Sequence, residues 1–106
     1  MSRYMFKVTY SAAGMQGVMK EGAEHRQAFI AKITAGMGGS LESFDFGFGD
    51  TDVYAICEIA DDESAAAIAM AVGASGAGSC QTVKLLTAAQ IDRARGIQTG
   101  YQAPGE

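Results

Sequence analysis

The sequence predicts an α+β domain whose elements run β-α-β-β-α-β, with one more short helix at the C-terminal end. Three observations predict it: short stretches that alternate apolar and polar residues, longer stretches with apolar residues at helical spacing, and glycine clusters between them. The chain has 106 residues, 48% hydrophobic and 19% charged, which fits a single domain over 1–106 with a packed core. The core is expected over about 3–87, and residues 88–106 form the terminal helix and tail.

Tyr4, Phe6, Val8 and Tyr10 fall on one face of the first strand and Met5, Lys7 and Thr9 on the other. Ser11 to Gly22 is interrupted by Gly14, Gly17 and Gly22, and reads as a loop with one helical turn at Met15, Val18 and Met19. From Ala23 to about Met37 the period lengthens. Ala23, Ile30, Ile33 and Met37 make one stripe with Phe29 at its edge, and Gly36, Gly38 and Gly39 supply the stop. Leu41 to Phe48 is the second strand, with Phe44, Phe46 and Phe48 on one face. Gly49 to Asp52 is a turn, and Val53 to Ile59 is the third strand, closing an antiparallel hairpin. Asp61, Asp62 and Glu63 gather at the positive start of a second helix, Ala65 to Val72, which the run Gly73 to Gly78 ends. Ser79 to Leu86 is the fourth strand, and Thr87 caps a last helix from Ala88 to about Arg95.

This order is that of the split βαβ, or ferredoxin-like, plait with an added C-terminal helix. Right-handed crossovers put strands one and three in the centre and both main helices on one face. The other face should be polar in a lone chain, yet Tyr54 and Ile56 on strand three and Met5 on strand one make it partly apolar. A homo-oligomer, dimer or larger, is therefore expected, with sheets packing into a dimeric barrel as one form of it. The alternative is that the terminal helix folds over this face of its own chain.

Eight Lys and Arg against twelve Asp and Glu give a net charge of −4, without the clustered cations that nucleic acid requires. No apolar run approaches the roughly 20 residues that cross a bilayer. Met1-Ser2-Arg3-Tyr4 lacks the basic-then-apolar layout of a secretory leader, so the cytoplasm is the expected compartment. Cys57 and Cys80 read as reduced core thiols, and with a single histidine neither a metal site nor a cofactor is expected.

The strand directions collect Tyr10, the Gly14/Gly17 stretch, the start of helix one, the Gly47–Asp52 turn and the Gly73–Gly78 loop at one end of the sheet. Arg26 lies within the apolar stripe of helix one, where a charge must reach solvent or find an acceptor. Asp50 and Asp52 are the candidates, either as a clamp tying helix to hairpin or beside an Arg26 that holds an anionic ligand group. Histidine is the side chain best suited to acid–base work near neutrality, so such a mechanism would use His25 first, with Tyr54 as the other candidate. Gly73–Gly78 and Gly47–Asp50 do not lie between a strand and the helix it feeds, so neither is a phosphate loop. The ligand-binding candidates are thus His25, Arg26, Asp50, Asp52 and Tyr54, for a small-molecule guest.

Gly38-Gly39-Ser40-Leu41-Glu42-Ser43-Phe44, Phe48-Gly49-Asp50-Thr51-Asp52-Val53-Tyr54, Asp61-Asp62, the alanine-rich helix and Thr82-Val83-Lys84-Leu85-Leu86 carry a likeness. Over Tyr4 to Leu86 the chain resembles the GYD-domain family of small bacterial and archaeal proteins. The aromatic that the family signature places between Gly49 and Asp52 is Thr51 here. The resemblance implies an α/β-plait fold and brings no catalytic residues with it. Two functions stay open. One is a non-enzymatic, self-associating module that binds a small molecule at the glycine-rich end. The other is a cofactor-independent oxygenase- or isomerase-like enzyme of the dimeric α/β-barrel type, which needs His25 or Tyr54 pointing into a closed apolar cavity of a few hundred Å³.

Overall fold

Alternation along the two central strands sorts their side chains into an inner and an outer row. In a computed structural model, which describes residues 1–106, a four-stranded antiparallel sheet is joined by four helices. The chain order is β1 (Ser2–Tyr10), α1 (Ala12–Glu21), α2 (Ala23–Gly36), β2 (Ser40–Phe46), β3 (Val53–Ile59), α3 (Asp62–Ala74), β4 (Gly78–Leu85) and α4 (Ala88–Ala94). The sheet order is β2-β3-β1-β4, with β1 and β3 central as expected. Tyr4, Phe6, Val53, Ala55, Cys57 and Ile59 are buried with Ala65 of α3. On the other face Met5 lies between Ile56 and Val83 in register.

Ser11 to Gly22 is not a loop. Its first residue is an N-cap whose side chain accepts from the Gly14 amide, and α1 follows for ten residues until Gly22, at φ +97°, turns the chain into α2. The interior glycines weaken a helix but do not forbid it, and Gly14 has a packing reason. A Cβ there would sit 1.9 Å from the carbonyl oxygen of Ala77. The Ser11 amide donates to Ala77 O at 2.8 Å and its hydroxyl to Gly76 O at 2.7 Å, so α1 is fastened to the loop before β4. Tertiary docking overrides the propensity that argued for a loop.

β2 ends at Phe46 rather than at the expected Phe48. The Gly47 amide donates to Asp52 O and the Asp52 amide to Val8 O, closing the hairpin before Phe48, which stands in solvent. Near its start β2 carries a bulge between Leu41 and Ser43. Glu42 at that bulge accepts from Arg3 Nε at 2.8 Å across β3. β3 spans the expected residues, and α3 begins in the expected acidic cluster with Asp61 as the cap that accepts from the Ser64 amide, although it runs from Asp62 to Ala74 rather than from Ala65 to Val72.

At the α3 end of the sheet the Tyr4 hydroxyl donates to Asp62 Oδ1 at 2.5 Å, and Lys84 Nζ donates to the same oxygen at 3.0 Å. Those two donors, Tyr4 first, hold the Asp62 carboxyl below its ordinary pKa, and the Ser64 hydrogen bonds do the same for Asp61. Carboxyls depressed in the folded state stabilise it fully above the ordinary Asp range, and that stability is lost as pH falls through the depressed values. Thermal midpoints should accordingly drop between about pH 4 and pH 2. Asp62→Asn should flatten that drop, and an unchanged slope would assign the acid sensitivity to other groups.

Thr87 and Gln90 form a capping box at the start of α4. Every residue from Leu86 to Glu106 is exposed, so the terminal helix does not lie over the open sheet face. The molecule measures 55 × 34 × 23 Å. Both cysteines are unbridged, and no helix is long and apolar enough to cross a membrane.

Candidate functional site

α2 rests on β2 and α3 on β4, the two edge strands, so the centre of the sheet lies beneath a gap between helices. Small side chains keep that gap open. Ala13, Gly14 and Gly17 face it from α1, Ala67 and Ala71 from α3 with Ser75 at its C-cap, and Ala55 from the sheet floor. The result is a cavity of about 430 Å³, within the range of small-molecule sites, in which 17 of 22 lining residues are hydrophobic. Phe6, Val8, Val53 and Cys57 continue the floor, and Ile30, Ile33 and Val72 the walls. Tyr4, Ile59 and Ala65 lie outside it. The sheet thus has a solid core at the Tyr4 end and a hollow one at the Val8 end.

Arg26 is the one charged residue in the lining. It does not clamp Asp50 or Asp52. Its Nε donates to Glu21 Oε1 at 2.6 Å, and its guanidinium lies 5.0 Å from the centre of the Phe29 ring. The positive φ of Gly22 folds the end of α1 back against the start of α2, which brings Glu21 within reach before the hairpin acids. Arg26 in turn holds the Glu21 carboxyl below its ordinary pKa. Arg26→Ala should lower the thermal midpoint by several degrees while Asp50→Ala leaves it unchanged. The opposite ranking in melting curves would restore the helix–hairpin clamp.

The other sequence candidates divide. The carboxylate of Asp52 accepts from the Tyr10 amide at 2.8 Å, and Tyr10 lines the cavity. Burial raises the pKa of the Tyr10 phenol; Arg26 opposes the shift, and Glu21 and Asp52 add to it. Arg26 and Asp52 therefore share a rim around Tyr10 without bonding to each other. Asp50 is exposed, and its backbone carbonyl accepts from the Thr9 hydroxyl at 2.7 Å. His25 is outside the lining with its side chain 65% exposed, 3.8 Å from Glu21. Tyr54 belongs to the row of the sheet that faces away from the cavity.

The sequence reading missed Glu21, the small-residue lining and the buried Thr34, whose hydroxyl donates to Ile30 O and Ala31 O. A signal existed in the four-residue spacing of Ala67, Ala71 and Ser75 and of Ala13 and Gly17, which puts small residues on one helix face.

Chemically the cavity offers binding surface rather than reactive groups. Burial pushes the Cys57 thiol up to about 11 and raises that of Cys80, so both stay protonated near neutrality and lack the thiolate that nucleophilic attack needs. No three His, Cys, Asp or Glu side chains converge as a metal site. Residues 4–94 match a family model described as the GYD domain. No curated protein and no solved structure matches the chain.

Proposed function

Because the chain belongs to the GYD domain family over residues 4–94, we propose that it is a self-associating binding module with the ferredoxin-like plait expected of that resemblance. The strand order β2-β3-β1-β4 and the helical cover of one sheet face support the plait reading. The guest is a small, largely apolar molecule held between helices and sheet, its polar group at Arg26 and Tyr10. The observation that carries this is the 430 Å³ apolar cavity with a single charged residue at its wall. Glu21 already offsets the charge of Arg26, so an uncharged polar group suits this mouth better than a second carboxylate.

Titration of the ¹⁵N-labelled protein with 1-decanol and with decanoate tests the reading. The alcohol should shift the amides of Gly17, Val18, Ile30 and Ala71, with decanoate at least ten-fold weaker. Ala67→Leu combined with Ala71→Phe, which fills the gap, should abolish the alcohol's shifts. Binding that survives the filled variant, or no shift at these amides, would end the proposal. The rival enzyme reading would have to work with Tyr10 and Arg26, since His25 and Tyr54 do not line the cavity.

A further inference from the structure

The C-terminal arm carries a capped helix that packs against nothing in its own chain. α4 has seven residues and a complete capping box, yet each of its side chains is exposed. Helices this short do not hold their form in water from local interactions alone; packing of one face supplies the rest. Ala88, Ile91 and Ala94 line up on one side of α4, and Leu86, Ile97 and Tyr101 flank it, all without a partner.

Surface area puts a size on what is missing. The chain exposes 7248 Å², whereas a folded monomer of 11.0 kDa exposes about 5,600 Å². Its radius of gyration is 16.8 Å, where about 13 Å is typical of this length. The excess of roughly 1,600 Å² per chain, taken twice, falls in the class of obligate pairs.

We propose that the arm from Leu86 to Tyr101 is exchanged between two copies of this chain, each arm lying on the other's open sheet face over Met5, Ile56 and Val83. The inference rests on the self-association proposed above and specifies how it is achieved. Both unpartnered surfaces occur once in every chain, so reciprocal exchange satisfies them in a closed two-fold pair. Four strands make a face about 20 Å wide, and a helix about 10 Å long with an extended continuation spans it. The face carries charges of both signs, Arg3 and Lys7 on β1 and Glu58 on β3 with Asp45 on β2. Arg3 on the face is held by Glu42 at 2.8 Å, and Asp92 on the arm lies 3.4 Å from Arg95.

Light scattering on the full chain, at a series of concentrations, tests the exchange. The natural sequence should run at twice 11.0 kDa. Ile91→Asp combined with Ile97→Asp should run at 11.0 kDa, with the dissociation constant raised at least 100-fold because four apolar side chains are lost from the pair. Val83→Asp, on the opposing surface, should have the same effect. All three positions are exposed, so circular dichroism should report an unchanged fold in each variant. If Val83→Asp separates the copies and the arm variant does not, the sheets pair without the arms and the exchange is wrong while self-association stands. If only the arm variant separates them, the arm seats elsewhere and this face is not its site. If both variants still pair, the exchange is again overturned. A natural chain that runs as a single copy overturns the exchange and self-association together.

Discussion

Gly14→Ala should cost about 2–3 kcal/mol and lower the thermal midpoint by ~10–20 °C. The added methyl group would lie 1.9 Å from Ala77 O and 2.8 Å from its carbonyl carbon, both backbone atoms that cannot rotate aside. α1 must therefore lift off the loop before β4, straining the bonds that Ser11 makes to Gly76 and Ala77. Gly17 makes the control. It sits in the same helix with nothing within 4 Å of the position its Cβ would take, so Gly17→Ala should gain about 0.5–1 kcal/mol from helix propensity. Melting curves of the two variants should move in opposite directions. Two variants moving together would mean that helix propensity, not the close approach to Ala77, governs this segment.

Ile59→Ala should cost about 3–4 kcal/mol, lowering the midpoint by more than ~12 °C, while leaving the capacity for 1-decanol intact. Ile59 is 0% exposed and belongs to the solid end of the core with Tyr4 and Ala65, outside the cavity lining. Deleting its methyl groups opens a void where the surrounding packing is tight, and the hollow at the Val8 end keeps its shape. Decanol binding lost in proportion to stability would show that the two ends are not separable. Isothermal titration well below the variant's midpoint distinguishes the cases.

Much of this architecture was legible from residue order. The alternation of Val53 to Ile59 located β3 to the residue, and the same alternation in Tyr4–Tyr10 fixed which face is covered. Asp61 and Thr87 marked two helix starts because cap chemistry is local. What stayed hidden depended on contacts between distant segments. α1 is not legible as a helix because the reason for Gly14 lies in Ala77, 63 positions away. The apolar neighbours of Arg26 are legible from helical spacing, but its partner Glu21 is not, since the reversal at Gly22 that delivers Glu21 is a backbone event. The shared end of Tyr10 and Asp52 followed from strand directions alone, whereas the cavity depends on how far apart α2 and α3 settle.

The irregular pairing at the start of β2 has a consequence for how copies of this chain aggregate. An outermost strand with a regular row of free amides and carbonyls is a template on which further chains polymerise into fibrils. The extra residue at Glu42 breaks that row, and the Arg3 contact fixes the break in place. At the other margin the positively charged Lys84, drawn to Asp62, guards β4 against the same fate. Open-ended stacking margin to margin is thereby discouraged on both sides.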